Sequence, residues 1–156
     1  MTEDDLDDVL RIERLSFTTP WSRALFENEL KNPVSCGMVA KVGGPGAECV
    51  AAYIVFWVVH GEAHILNIAV HPDFRRRGLG SRLLDHALGL MEERGVRGVF
   101  LEVRRSNRAA RRMYGRFGFR ELFVRRRYYG DEDALVMALD LRERAGGGGG
   151  EKRGRP

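Results

Sequence analysis

The segment HPDFRRRGLGSRLL, residues 71–84, places three consecutive arginines before a Gly-x-Gly and the first turn of a helical pattern. The apolar run before it, EAHILNIAV at 62–70, predicts a strand, so the order is strand, short turn, helix. Glycines at the start of a helix let a ligand approach the backbone, and the unpaired N–H groups there attract anions. The segment therefore predicts a phosphate site beside a sheet, with arginines at its rim.

Two familiar phosphate-binding loops do not fit this spacing. A dinucleotide loop, G-x-G-x-x-G, needs a third glycine where Leu83 stands, and the P-loop pattern G-x-x-x-x-G-K-[ST] does not occur here either. The pattern that remains is Arg75-x-x-Gly78-x-Gly80. It is typical of a pyrophosphate cradle, and a purely structural turn is the alternative.

The rest of the chain predicts a single α/β domain over residues 1–144. Its periodicities indicate two helices, a β-hairpin across GGPGA, a third strand, the helix of the Gly-x-Gly segment, and then strand, helix, strand, strand. We expect a mixed, mostly antiparallel central sheet flanked by helices. Residues 145–156, AGGGGGEKRGRP, have the glycine-rich basic composition of a disordered tail.

The composition argues against several classes of protein. A chain with 44% apolar and 31% charged residues is typical of a soluble globular domain. No apolar run approaches the roughly 20 residues that span a bilayer, and the acidic start is unlike a signal peptide, so we expect a cytoplasmic protein without a membrane partner. Neither the two cysteines, Cys36 and Cys49, nor the four histidines form a metal-ligand pattern, so we expect no metal. We expect an isolated surface role for each histidine: His60, His64, His71 and His86.

Four separate motifs carry a resemblance to a known family: FTTPWS (17–22), LNIAVHPDFRRRGLG (66–80), LEVRRSNRAARRMYGRFGF (101–119) and RRRYYGDEDALVMAL (125–139). Over about residues 1–141 the chain resembles the acetyl-coenzyme A-dependent N-acetyltransferase superfamily, and most closely the bacterial ribosomal-protein-alanine N-acetyltransferases. The resemblance implies acetyl-CoA as cosubstrate, no metal, and direct transfer in a ternary complex to the N-terminal alanine of small-subunit ribosomal protein eighteen. Members usually have one more strand before the first helix, whereas this sequence opens directly at MTEDD, so either its start is placed late or an edge strand is lost.

The resemblance also assigns residues to the cosubstrate. In the superfamily the motif [QR]-x-x-G-x-[GA] holds the pyrophosphate, and the preceding strand end binds the pantetheine arm, with the Val70 N–H as the expected donor to the thioester carbonyl. Asn107, whose position alone predicts a helix N-cap, aligns with a cofactor-contacting asparagine. The full cosubstrate set is Ile68, Ala69, Val70, Arg75, Arg76, Arg77, Gly78, Leu79, Gly80, Ser81 and Asn107.

Two residues are candidates for proton transfer. Glu102 interrupts an apolar strand, where a carboxylate is costly unless it is paired or used, so we interpret it as the base and expect burial to raise its pKa. An ion pair with an arginine such as Arg104 is the alternative. Tyr114 lies on the inward face of the helix after Asn107, where a tyrosine is ordinarily core, and the resemblance assigns it as the acid that protonates the thiolate.

Aromatic residues in two loops are candidates for the acceptor site. Phe17 and Trp21 lie in the break between the first two helices, and Tyr128 and Tyr129 lie between the last two strands. In the superfamily these loops flank the acceptor groove. Core packing and loop anchoring are the alternative for each residue.

Other functions remain open at this point. Residues 104–127 hold ten arginines and one acidic residue, which would suit a basic RNA-binding module, although their place on the solvent face of a helix argues against it. Lysine side chains, other protein N-termini and small amines are alternative acceptors, because one fold hosts all these activities. We expect a monomer or weak dimer and no more than incidental contact with nucleic acid.

Overall fold

The computed structural model describes the backbone of residues 1–146 and the side chains of residues 1–144. The sequence predicts a disordered tail over 145–156, and residues 147–156 of that segment lie outside the described residues. The helices are α1 (Leu6–Ser16), α2 (Arg23–Lys31), α3 (Leu79–Glu93), α4 (Arg108–Arg116) and α5 (Leu141–Gly146), with single 3₁₀ turns at Glu3–Asp5 and Pro72–Phe74. The strands are β1 (Ser35–Val42), β2 (Cys49–Val59), β3 (Glu62–Val70), β4 (Gly98–Arg104), β5 (Arg120–Arg125) and β6 (Ala134–Asp140).

The six strands form one sheet in the order β1-β2-β3-β4-β6-β5. Every neighbouring pair is antiparallel except β3 and β4, which run parallel. Parallel neighbours need a long connection, and here α3 supplies it. The predicted mixed, mostly antiparallel sheet flanked by helices is therefore confirmed.

Helices cover both faces of this sheet because β2 is apolar on both of its sides. Ile54 and Phe56 face a cluster with the buried stripe of α3, whereas Tyr53 and Val55 face a second cluster with α1 and α2. Successive side chains of a strand point to opposite faces. The continuous apolar run of β2 is thus the sequence signature of a central strand.

The parallel pair of β3 and β4 separates halfway along its length. Only Glu62–Ile65 pairs with Gly98–Leu101, although β3 continues to Val70 and β4 to Arg104. At this point Leu66 has no partner on β2, where the register shifts between Val55 and Phe56. Such a bulge bends a strand, so β3 diverges from β4 and a gap opens between their carboxyl ends.

Polar side chains hold the helix starts in place. The side chains of Ser22 and Asn107 accept hydrogen bonds from the Leu25 and Ala110 N–H groups at 3.3 and 3.2 Å, so Ser22 caps α2 and the predicted N-cap Asn107 is confirmed. No helix within residues 1–146 is long and apolar enough to cross a membrane. Among the described side chains, no three histidine, cysteine or carboxylate groups gather as metal ligands would.

Candidate active site

The start of α3 offers a set of backbone N–H groups beside the gap. Gly78 caps the helix with φ 73°, a left-handed conformation that suits glycine, and no side chain caps the first turn. The first helical bond is donated by the Arg82 N–H to the Gly78 carbonyl at 3.0 Å. The N–H groups of the three preceding residues, Leu79, Gly80 and Ser81, have no helical carbonyl to donate to. They can therefore donate hydrogen bonds to a bound anion.

Close packing fixes this turn against the end of β3. A Cβ atom at Gly80 would lie 3.3 Å from Val70 Cγ2, so a side chain here would press on the strand. Arg75 Nε donates to the Val70 carbonyl at 2.9 Å, and its Nη2 donates to Ser16 Oγ at 3.1 Å. Arg75 therefore braces the turn, and Arg76 and Arg77 are the exposed charges beside the helix start.

The open edge of β3 presents further backbone donors to the gap. The His71 N–H donates to the Ala51 carbonyl of β2 at 2.8 Å. Because successive N–H groups of a strand point to opposite sides, those of Ile68 and Val70 point away from β2 and into the gap. The N–H group of Ala69 points the other way, towards β2. Of the three predicted strand-end residues, only Ile68 and Val70 therefore present an N–H group to the gap.

Glu102 is the first residue of β4 beyond the last pair with β3. Its side chain is only 10% exposed, and its two oxygens lie 2.6 Å from His64 Nε2 and 3.6 Å from Arg125 Nε. Arg104 pairs instead with Asp131 and Glu132, at 2.9 and 3.4 Å. The alternative of an ion pair with an arginine is therefore confirmed, but the partner of Glu102 is Arg125 and not Arg104.

The environment of Glu102 keeps it ionised. Burial alone would raise the pKa of Glu102, but the hydrogen bond and charge of His64 and the charge of Arg125 outweigh it and lower the pKa. The prediction that burial raises this pKa is wrong because it left out these partners. At neutral pH the site contains a carboxylate anion held by two basic side chains.

Tyr114 is the buried residue of α4 and belongs to the core cluster. The side chain is 4% exposed and packs on Phe119, with ring centroids 5.6 Å apart. Burial and the neighbouring Tyr129 raise the pKa of Tyr114, so the hydroxyl stays protonated at neutral pH. No described residue accepts a hydrogen bond from it. Tyr114 therefore has a proton to donate.

Comparison with known proteins identifies this arrangement. The model of the acetyltransferase (GNAT) family matches residues 6–119. The chain belongs to the GNAT family. The [ribosomal protein bS18]-alanine N-acetyltransferase of Salmonella typhimurium is 41% identical over 142 residues, which cover 88% of this chain and 92% of that protein.

Solved structures agree with the sequence comparison. The crystal structure of the Escherichia coli ribosomal-protein-S18-alanine N-acetyltransferase has a TM-score of 0.80 and 38% identity, and 90% of each chain is covered. Arabidopsis thaliana NAA60 in complex with acetyl-CoA has a TM-score of 0.82 over 91% of this chain and 96% of that one, but at 20% identity it supports the fold alone. GNAT acetyltransferases use acetyl-CoA, so this chain is an acyltransferase with that cosubstrate.

The predicted acceptor residues lie on two loops of this GNAT domain. Trp21 packs on Phe26 with ring centroids 5.2 Å apart, and Phe17 lies half-buried against the same core cluster. Tyr128 is 53% exposed and meets Tyr129 edge-on at 5.1 Å. Core packing therefore explains part of the placement of Trp21 and Phe17, whereas the exposed ring of Tyr128 can contact another molecule.

Tyr129 interacts electrostatically with both candidates for proton transfer. The guanidinium carbon of Arg104 lies 4.3 Å from the centroid of its ring. Burial, then the charges of Tyr128 and Glu102, raise the pKa of Tyr129 to about 12. Tyr129 in turn raises the pKa of Tyr114. Tyr129 is therefore coupled electrostatically to both Glu102 and Tyr114.

Sequence reasoning missed Glu13, a fully buried carboxylate of α1. It accepts hydrogen bonds from the Trp21 N–H at 2.8 Å, from Asn67 Nδ2 at 3.0 Å and from the Tyr53 hydroxyl. The cluster ties the loop after α1 to the diverging half of β3. An acidic residue on the apolar face of α1 was the available signal.

The histidine prediction also needs correction. His64 does not have an isolated surface role, because its ring is hydrogen-bonded to Glu102. The two residues are 38 positions apart and meet only because β3 and β4 are parallel neighbours. The sequence pattern contains no signal for this contact.

Proposed function

We propose that this protein transfers the acetyl group of acetyl-CoA directly to the α-amine of the N-terminal alanine of ribosomal protein bS18. One observation carries the proposal: the gap between β3 and β4 has an anion cradle at one end and Glu102 at the other. About 40% identity to enzymes named for this reaction, over most of the chain, supports the choice of acceptor. Their names include the alanine.

The cradle at the start of α3 would hold the pyrophosphate of the cosubstrate. Gly80 packs on Val70, so an arm that leaves the cradle enters the gap at Val70 and follows the open edge of β3 towards Leu66, a distance of roughly 13 Å. The N–H groups of Val70 and Ile68 are then met in that order. We therefore assign the donor to the thioester carbonyl to Ile68, near the closed end, and assign Val70 to the arm.

Glu102 lies where this arm would end. A free α-amine has a pKa of about 7.7–8.0, so only a modest base is needed to deprotonate it. The ionised carboxylate of Glu102 draws the ammonium group into the site, where its proton passes to a base. The amine then forms the new N–C bond as the C–S bond breaks.

Tyr114 would donate the proton that the departing thiolate needs. Its hydroxyl has no acceptor among the described residues, and its raised pKa keeps the proton available. Asn107 caps α4 through Oδ1, which leaves its Nδ2 for the cosubstrate. Cys36 and Cys49 belong to β1 and β2, across β3 from the gap, so neither is placed to form an acyl-enzyme.

The acceptor would lie on the sheet face that carries α1 and α2. Phe17 and Trp21 border it on one side and Tyr128 and Tyr129 on the other. An extended N-terminus between two such loops is bound mainly through its backbone and a small pocket for the first side chain. This arrangement suits alanine and explains why the aromatic residues cluster on both loops.

A peptide series tests this function. Purified protein is incubated with acetyl-CoA and one of three peptides: the N-terminal residues of bS18, a peptide with a blocked α-amine and a free lysine, and one that begins Met-Glu. Released thiol is measured over time. We expect turnover with the bS18 peptide only, and turnover with the lysine peptide instead would overturn the acceptor assignment.

A further inference from the structure

His64 and Glu102 meet where β3 and β4 separate. His64 precedes Ile65, the last paired residue of β3, and Glu102 follows Leu101, the last paired residue of β4. The distance from His64 Nε2 to Glu102 Oε2 is 2.6 Å, and the two side chains are 38% and 10% exposed. The imidazole is thus the more exposed member of the pair, in contact with a buried carboxylate.

The hydrogen bond defines which imidazole nitrogen is free. A carboxylate anion only accepts hydrogen bonds, so the proton of a neutral His64 is on Nε2, between the ring and Glu102. Nδ1 then has a free lone pair, and no described residue donates to it. Glu102 has less capacity left to accept a further proton, since one of its oxygens binds His64 and the other faces Arg125.

Imidazole is also better suited than a carboxylate to accept the proton of the acceptor's α-ammonium group. An ordinary imidazole pKa, about 6.5, lies close to the 7.7–8.0 of an α-ammonium group, whereas an ordinary glutamate pKa is about 4.3. A base is most effective when its pKa is near the working pH. The partners of Glu102 lower its pKa further, which makes the isolated carboxylate a weak base.

We propose that His64 is a further catalytic residue, which accepts the proton of the α-ammonium group on Nδ1 while Glu102 holds its ring through Nε2. The proposal rests on the proposed function. One N–H bond of the ammonium breaks and an Nδ1–H bond forms, so the imidazolium and Glu102 become a neutral pair. The proton then leaves to solvent from the exposed edge of the ring, and the base is regenerated.

The surroundings of His64 are compatible with this cycle. Across β2 its neighbour is Trp57, whose indole donates to Glu29 of α2 at 2.7 Å. On the other side are Glu102 and, beyond it, Arg125 of β5. The charge that directly touches the imidazole is therefore the Glu102 carboxylate, which forms an ion pair with the ring whenever the ring carries a second proton.

The test compares the pH dependence of kcat/KM for the acceptor peptide in the wild type, His64→Gln and His86→Gln. His86 is an exposed histidine of α3 outside the site and serves as the matched control. We expect His64→Gln to lower kcat/KM about 100-fold at pH 7 and to move the acidic limb of the profile to higher pH, towards the pKa of the free amine. The deficit should shrink above pH 8, where the amine deprotonates without help, and the control should match the wild type.

A second variant separates catalysis from structure. His64→Ala should regain part of its turnover when free imidazole is added, whereas a residue that only supports the fold would not be rescued. Acetyl-CoA binding and thermal unfolding of both variants should match the wild type. If His64→Gln has an unchanged acidic limb and a kcat/KM within about 2-fold of the wild type at pH 7, the catalytic role of His64 alone is overturned. If the wild type turns over no α-amine, the proposed function and the role of His64 are overturned together.

Discussion

Replacement of Tyr53 by phenylalanine tests the buried cluster around Glu13, which holds the loop after α1 through the Trp21 N–H. Tyr53 is fully buried, and its hydroxyl donates to Glu13. The substitution removes one oxygen and leaves the carboxylate with the Trp21 N–H and Asn67 Nδ2 as donors. The ring and its packing on Phe26, at 5.7 Å between centroids, are retained.

The expected loss follows from this one hydrogen bond. A hydrogen bond to a charged group contributes roughly 1.5–3 kcal/mol. For a domain of this size, 1 kcal/mol corresponds to about 2–4 °C in Tm, so Tyr53→Phe should lower Tm by about 3–12 °C. Because Glu13 also holds the Trp21 N–H, the KM for the acceptor peptide should rise while that for acetyl-CoA does not change.

Differential scanning calorimetry at pH 7 measures the loss directly. Tyr128→Phe is the matched control, since Tyr128 is half-exposed and its hydroxyl bonds to no described residue. That variant should unfold at the wild-type temperature. If Tyr53→Phe also unfolds within about 1 °C of the wild type, the Glu13 cluster does not stabilise the fold as we argue.

Three other changes probe separate parts of the site. Tyr114→Phe should lower kcat about 100-fold or more without changing the KM for acetyl-CoA; steady-state thiol release measures this, and activity above a tenth of wild type would argue against an acid role. Gly78→Ala forces alanine into φ 73°, at roughly 1–2 kcal/mol, and should raise the KM for acetyl-CoA, whereas the control Gly89→Ala in the open interior of α3 should not. Glu102 has a lowered pKa in the folded state, so it stabilises the fold above the unfolded pKa of about 4.3, and that contribution is lost as the pH falls through the folded value. Glu102→Gln should therefore lose less Tm than the wild type between pH 7 and pH 3, and equal losses in a melting series would contradict this.

Features set by local sequence were predictable. The turn with Gly78 and Gly80, the start of α3 and the N-cap Asn107 depend on residues a few positions apart, and the structure has each of them where the pattern places it. The alternation of apolar residues also predicted a central sheet with helices on its faces. These elements follow from backbone conformation and side-chain periodicity, which one sequence records directly.

Features set by distant contacts were not predictable. The pKa of Glu102 depends on His64 and Arg125, which reach it from two other strands. The gap depends on a bulge at Leu66, whose unpaired position is defined only by the register with β2. A single sequence records neither register nor neighbours, so a buried carboxylate could be recognised as unusual while its partners could not be named.

Tandem mass spectrometry of the reaction product tests the central claim most directly. Full-length bS18 with a free N-terminal alanine is incubated with the purified protein and acetyl-CoA, and the modified residue is located by fragmentation. The account predicts one acetyl group on the α-amine of the alanine, and none when acetyl-CoA is omitted. Acetyl groups on lysine side chains, or an unmodified product after complete incubation, would contradict it.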